Sequence, residues 1–116
     1  PQVDADGNEI AGIRTPEHRV PMATFTGWNF RGAAIGGTAQ LVNLLGAAVP
    51  FPATKTAGDP RRALDERYPA KDAYLAAASE AADALVKGRY LRRDDVAAVM
   101  ARVEAWWALI HPAGSR

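Results

Sequence analysis

Residues 71–110 read KDAYLAAASEAADALVKGRYLRRDDVAAVMARVEAWWALI, and here apolar side chains recur with a helical period for long enough to fix a packed unit. In the first half Tyr74, Leu75, Ala78, Ala81, Ala82, Leu85 and Val86 fall three and four apart, while Lys71, Asp72, Ser79, Glu80, Asp83 and Lys87 turn mostly the other way. In the second half Val96, Val99, Met100, Val103, Trp106, Trp107 and Ile110 keep the same spacing. Gly88 stands where a left-handed C-terminal cap is wanted, and Lys87 complements the negative end of the helix dipole. Asp94 and Asp95 put negative charge at the positive end of the next helix. The spacing predicts helices over 71–87 and 93–110, and so short a connection makes them antiparallel neighbours.

Working outward, Asp59-Pro60 makes an N-cap and first-turn pair that predicts a short helix over 60–67, ended before Pro69. Residues 53–59 read as an exposed loop. Thr38 can cap a short helix over 38–46 with Leu41, Val42, Leu44 and Leu45 as its apolar face, and Val49-Pro50-Phe51-Pro52 then ends it. Arg31 to Gly37 is a Gly-rich turn that lacks the Gly-Lys-Ser/Thr of a phosphate loop. Pro16 and Pro21 mark extended chain, and Val20 to Trp28 alternates in a run of strand-favouring residues, giving a short strand. Asp6-Gly7-Asn8 between Val3 and Ile10 reads as a β-hairpin turn. The fold class expected is mainly α, with a small N-terminal β-hairpin and strand region over 1–30 and a C-terminal antiparallel helix pair. The tail after His111-Pro112 is expected to fray.

The 116 residues fit one domain and one core. A formal net charge of +1 with interspersed signs gives no field for steering nucleic acid or an anionic membrane. The densest basic cluster, Arg89, Arg92 and Arg93, runs directly into Asp94 and Asp95, so neither nucleic acid nor a membrane is expected as a partner. No apolar run approaches the ~20 residues that span a bilayer. With no cysteine there is no disulfide, thiolate nucleophile or thiolate metal site, and the compartment is unreadable. Beginning at Pro1, the chain reads as a processed product or a piece of something longer.

Chemistry-bearing residues are sparse. His18 and His111 lack neighbours at metal or triad spacing, Ser79 sits mid-helix and Ser115 in the tail, and there is no G-x-S-x-G elbow. Glu80 and Asp83 share a helix face, where solvation is commoner than an acid/base dyad. Asp4, Asp6 and Asn8 place oxygen atoms at alternate positions, but the glycine and the bidentate Glu of a calcium loop are missing, so turn chemistry is preferred. No metal and no cofactor is expected. Adjacent helical residues diverge by about 100°, so Trp106 and Trp107 cannot both enter the helix interface, and one must meet a further surface. Trp28 beside Thr26 and Asn29 gathers an indole and two hydrogen-bonding side chains near Gly27. Thr26, Trp28, Asn29 and Trp107 are therefore the candidate pocket or interface residues, each weighed against an ordinary buried aromatic or satisfied polar group. No catalytic residue is assigned.

Three stretches, Val3-Asp4-Ala5-Asp6-Gly7-Asn8-Glu9-Ile10-Ala11-Gly12-Ile13-Arg14, Val20-Pro21-Met22-Ala23-Thr24-Phe25-Thr26-Gly27-Trp28-Asn29 and Pro50-Phe51-Pro52-Ala53-Thr54, continue in order with Gly58-Asp59-Pro60-Arg61, Leu64-Asp65-Glu66-Arg67-Tyr68 and Tyr74-Leu75. Together they resemble the C-terminal part of a bacterial, esterase-like family of alpha/beta-hydrolase domain proteins. The resemblance implies that the serine nucleophile and catalytic histidine lie upstream, and that the parent hydrolyses ester or related acyl bonds. The chain alone would then be inactive, packing on an upstream hydrolase body or, lacking it, self-associating through Leu41 to Phe51. The alternative is a self-standing helical protein–protein interaction module.

Overall fold

The computed structural model describes residues 1–112. Among the described residues four α-helices and one two-stranded sheet make a mixed α/β structure: α1 (Pro16–Arg19), β1 (Ala23–Phe30), β2 (Leu41–Pro50), α2 (Leu64–Arg67), α3 (Lys71–Lys87) and α4 (Val96–Ile110). The α3–α4 pair is antiparallel, because Lys71 at the start of α3 pairs with Glu104 late in α4, while Asp83 meets Arg93 ahead of α4 at 2.6 Å. Their facing stripes bury Tyr74, Ala78, Ala82 and Val103 completely. Each large apolar side chain so buried is worth about 1.5–3 kcal/mol.

The sheet is the main correction to the sequence reading. Residues expected to form a helix over 38–46 lie instead largely in β2, which pairs antiparallel with β1 from Ala23↔Pro50 to Phe30↔Leu41. The register breaks between Thr26 and Trp28, where Leu44, Leu45 and Gly46 oppose Gly27 alone. Leu44 is held there at φ 65. A Cβ on Gly46 would lie 2.6 Å from the Thr26 carbonyl oxygen, so the bulge depends on the missing side chain. The Gly-rich turn forms the ribbon's tip, with a 3₁₀ turn over Ala33–Ile35.

Other expectations shift by smaller amounts. Pro16 opens a single helical turn rather than extended chain. Asp59 starts no helix: it accepts from the Arg61 backbone N–H at 3.0 Å and clamps the guanidinium, so α2 begins only at Leu64, where Glu66 reaches back to the Ala63 N–H at 3.1 Å. Gly88 is right-handed (φ −75), and the left-handed position after α3 falls on Arg89. Gly88 instead makes room for the Tyr90 ring, 2.9 Å from where a Cβ would stand. A 3₁₀ turn over Arg93–Asp95 leads into α4. Residues Val3 and Glu9 form a single bridge, so the N-terminal hairpin is a tight turn and not a strand pair.

The core lies where the base of the ribbon meets the helices. Met22 and Phe51, adjacent across the foot of the sheet, pack with Leu64, Tyr74, Ala78 and Val103. The rest of the ribbon stands clear of it. A radius of gyration of 15.8 Å, against about 13 Å for a compact chain of this size, records that projection.

Candidate functional site

Three pieces of local structure converge on one groove. Pro16, with φ preset for a first helical turn, winds α1 so that Thr15 Oγ1 lies 3.0 Å from His18 Nδ1. The imidazole packs on Phe25 of β1 with centroids 4.4 Å apart, and Phe25 in turn meets Trp106 of α4 at 5.9 Å. Two hollows of about 360 and 370 Å³ meet along Thr15, His18 and Phe25. Glu9, Ile13, Arg14, Thr26 and Gly27 line the first, and Glu17, Arg102 and Trp106 complete the second.

Charge is arranged at one rim. Glu17, almost wholly buried, receives both Arg102 Nε and Nη2, so the pair ties α1 to α4. Burial pushes the Glu17 carboxyl up, but hydrogen bonds from Arg102, the backbone and Thr15, with the Arg102 charge, outweigh it and hold the group below its ordinary value. Most of the Arg102 side chain stays exposed, leaving guanidinium N–H groups for a second acceptor. With Nδ1 tied to Thr15, Nε2 is the His18 nitrogen left to meet a ligand. The arrangement can hold an apolar or aromatic group on Phe25 and Trp106 with polar contacts at its edge. Among the described residues the hydroxyl that reaches an imidazole is that of Thr15; Ser79 lies exposed on α3, and Ser115 lies outside them.

The sequence-derived candidates are not gathered in this groove. Thr26 lines it, but its hydroxyl donates to the Trp28 carbonyl at 2.6 Å. Asn29 accepts from the Phe30 N–H at 2.8 Å, and Trp28 stacks edge-on against Phe30, all on the projecting ribbon. Trp107 sits on the opposite face of α4, stacked on His111 at 3.9 Å and packed on Tyr74 at 5.3 Å. Adjacent tryptophans do diverge, and it is Trp106 that reaches the groove. Phe25, Glu17 and Arg102 escaped sequence reasoning, and Trp107 was chosen from the tryptophan pair in place of Trp106, because the contacts that build the groove cross from 81 to 85 positions of chain.

The motifs most reminiscent of a site instead stitch the molecule together. Asp4 Oδ1 accepts from the Asp6 and Asn8 N–H groups, Asp6 pairs with Arg67, and Asn8 is buried against β1, so a turn, an ion pair and a bond to the ribbon occupy the three oxygen-bearing side chains. Arg61 holds Asp59, Thr24 and the Val49 and Pro50 carbonyls, and both Arg61 and Arg67 lie over the Phe51 ring. Tyr68 donates to the Pro21 carbonyl at 3.0 Å, and burial pushes its phenol up to about 12. No described helix is long and apolar enough to cross a membrane.

A family model described as an alpha/beta hydrolase domain covers residues 1–101, which include the hairpin, the ribbon, α1 to α3 and the start of α4. Searches of curated proteins and of solved structures found no match.

Proposed function

The chain belongs to the alpha/beta hydrolase domain family, and on that premise we propose that it is the non-catalytic C-terminal part of a bacterial, esterase-like serine hydrolase. In this reading an upstream body supplies the nucleophile and its histidine, and cleaves an ester or related acyl bond through a serine acyl-enzyme. The present chain supplies a wall: the Phe25–Trp106 floor takes the apolar part of the substrate, and His18 and Arg102 meet its polar edge. The family match carries the proposal. It is supported by the groove's composition, which offers binding surface and an imidazole beside Thr15 but, among the lining residues, no serine.

The test is to read the coding frame upstream of the Pro1 codon and express the whole product. A G-x-S-x-G serine in that frame should be labelled by a fluorophosphonate probe, and residues 1–116 alone should stay unlabelled and show no turnover of activated esters. Label on a residue of this chain would overturn the non-catalytic assignment. In the whole protein Trp106→Ala should raise KM more than it lowers kcat. The second reading, a self-standing interaction module, is favoured by the exposed ribbon, and a start codon directly before Pro1 would move the balance to it.

A further inference from the structure

The two edges of the β1–β2 ribbon are treated differently. Because Phe51 N–H bonds to the Met22 carbonyl and Arg31 N–H to the Gln40 carbonyl, the alternation of an antiparallel ladder turns the backbone groups of Ala23, Phe25, Trp28 and Phe30 outward on β1. Side chains take one backbone group at each of the four. Asn8 donates to the Ala23 carbonyl and accepts from the Phe25 N–H, Thr26 takes the Trp28 carbonyl, and Asn29 takes the Phe30 N–H. On β2 the same alternation turns out Leu41, Asn43 and Ala48. Among the described residues no side chain bonds to their backbone; only the last residue, Pro50, is capped there, by Arg61.

Open edges are ordinarily blunted with charge. Here Arg31 is the single charged residue between Pro21 and Thr54, and it lies at the tip, bonded to Gln40. The one irregularity on β2 projects Leu44, a left-handed residue that is 99% exposed. Backbone strain spent on presenting a leucine to water marks a contact residue.

We infer that the β2 edge pairs with the β2 edge of a second copy, antiparallel about a twofold axis, to make a four-stranded sheet ordered β1-β2-β2-β1. A neutral edge meets itself without repulsion, and two copies of a chain with net charge +1 repel weakly. Leu41, Leu44, Leu45 and Val49 expose on the order of 450 Å² per copy, so two copies with the paired backbone reach the ~1,000 Å² of a specific interface. The half-capped β1 edges then favour ending the sheet at two copies, which distinguishes this assembly from open-ended strand stacking. The inference concerns the 116-residue chain; under the hydrolase reading an upstream body would compete for the same ribbon surface, so the labelling test above and the mass measurement below fail separately.

Sedimentation equilibrium of the 116-residue chain over a hundredfold concentration range should give a limiting mass twice 12.4 kDa and nothing larger. Leu44→Lys and Leu45→Lys should each move the midpoint at least tenfold upward in concentration; Leu44 is so exposed that its variant keeps the fold even if the other loses it. The chain has no cysteine, so single cysteines introduced in turn at Leu41, Asn43 and Ala48 report the edge directly. At least one should oxidise to a disulfide-linked dimer, whereas cysteines at Trp28 or Phe30 should not. A monomer throughout, species beyond two, a dimer indifferent to both lysine variants, or cross-linking confined to β1 would each overturn the inference.

Discussion

Asn8 spends its whole amide on β1, accepting from Phe25 at 2.7 Å and donating to Ala23 at 3.0 Å while fully buried. Asn8→Ala leaves those backbone groups without partners and should cost about 1–3 kcal/mol, read as a lower urea midpoint. Asp59 makes a pH-dependent contribution. The Arg61 side chain and backbone N–H hold its carboxyl down, from 3.8 to about 2, so the fold favours the charged form. That stability is present above pH 4 and lost as pH falls from about 4 to 2, with Glu17 acting in the same sense. In urea titrations across this window Asp59→Asn should lessen the fall. Sequence reading recognised turn chemistry at Asn8 but expected Asp59 to cap a helix that does not start there. It could not see what either side chain would grip, since the β1 partners lie 15 and 17 positions from Asn8 and Asp59 serves an arginine that reaches across to the ribbon.

At the scale of elements, legibility followed the period. The stripes of α3 and α4 are long, and a 3.6-residue repeat over several turns has few competing explanations. Over Leu41 to Gly46 the bulge inserts residues into β2 and destroys its two-residue alternation, so Leu41, Val42, Leu44 and Leu45 imitate a helical face. Only the partner strand decides between the two, and pairing is nonlocal. Gly46 is the local residue on which that outcome rests. Gly46→Ala drives a Cβ against the Thr26 carbonyl, and the backbone must shift, so it should destabilise by about 1–3 kcal/mol and weaken near-ultraviolet circular dichroism from Trp28. Gly12→Ala, with no atom within 4 Å but φ +77, separates crowding from backbone strain and should cost only about 1 kcal/mol.

For the molecule as a whole, the core is a joint between the N-terminal and C-terminal halves. The segment of residues 53–58 that links them is exposed, while contacts on either side of it cross the joint. Phe51 packs with Leu64, Tyr74 and Val103, the Leu64 N–H bonds to the Pro52 carbonyl, Arg67 pairs with Asp6, and Arg102 pairs with Glu17. The groove was illegible for the same reason: its floor is half β1 and half α4. Covalent continuity through Lys55 is therefore dispensable once the protein has folded. Fragments 1–55 and 56–116, produced separately, should reassemble on mixing into one particle in solution. The protein can in this way be divided into complementary halves, neither of which carries the core alone.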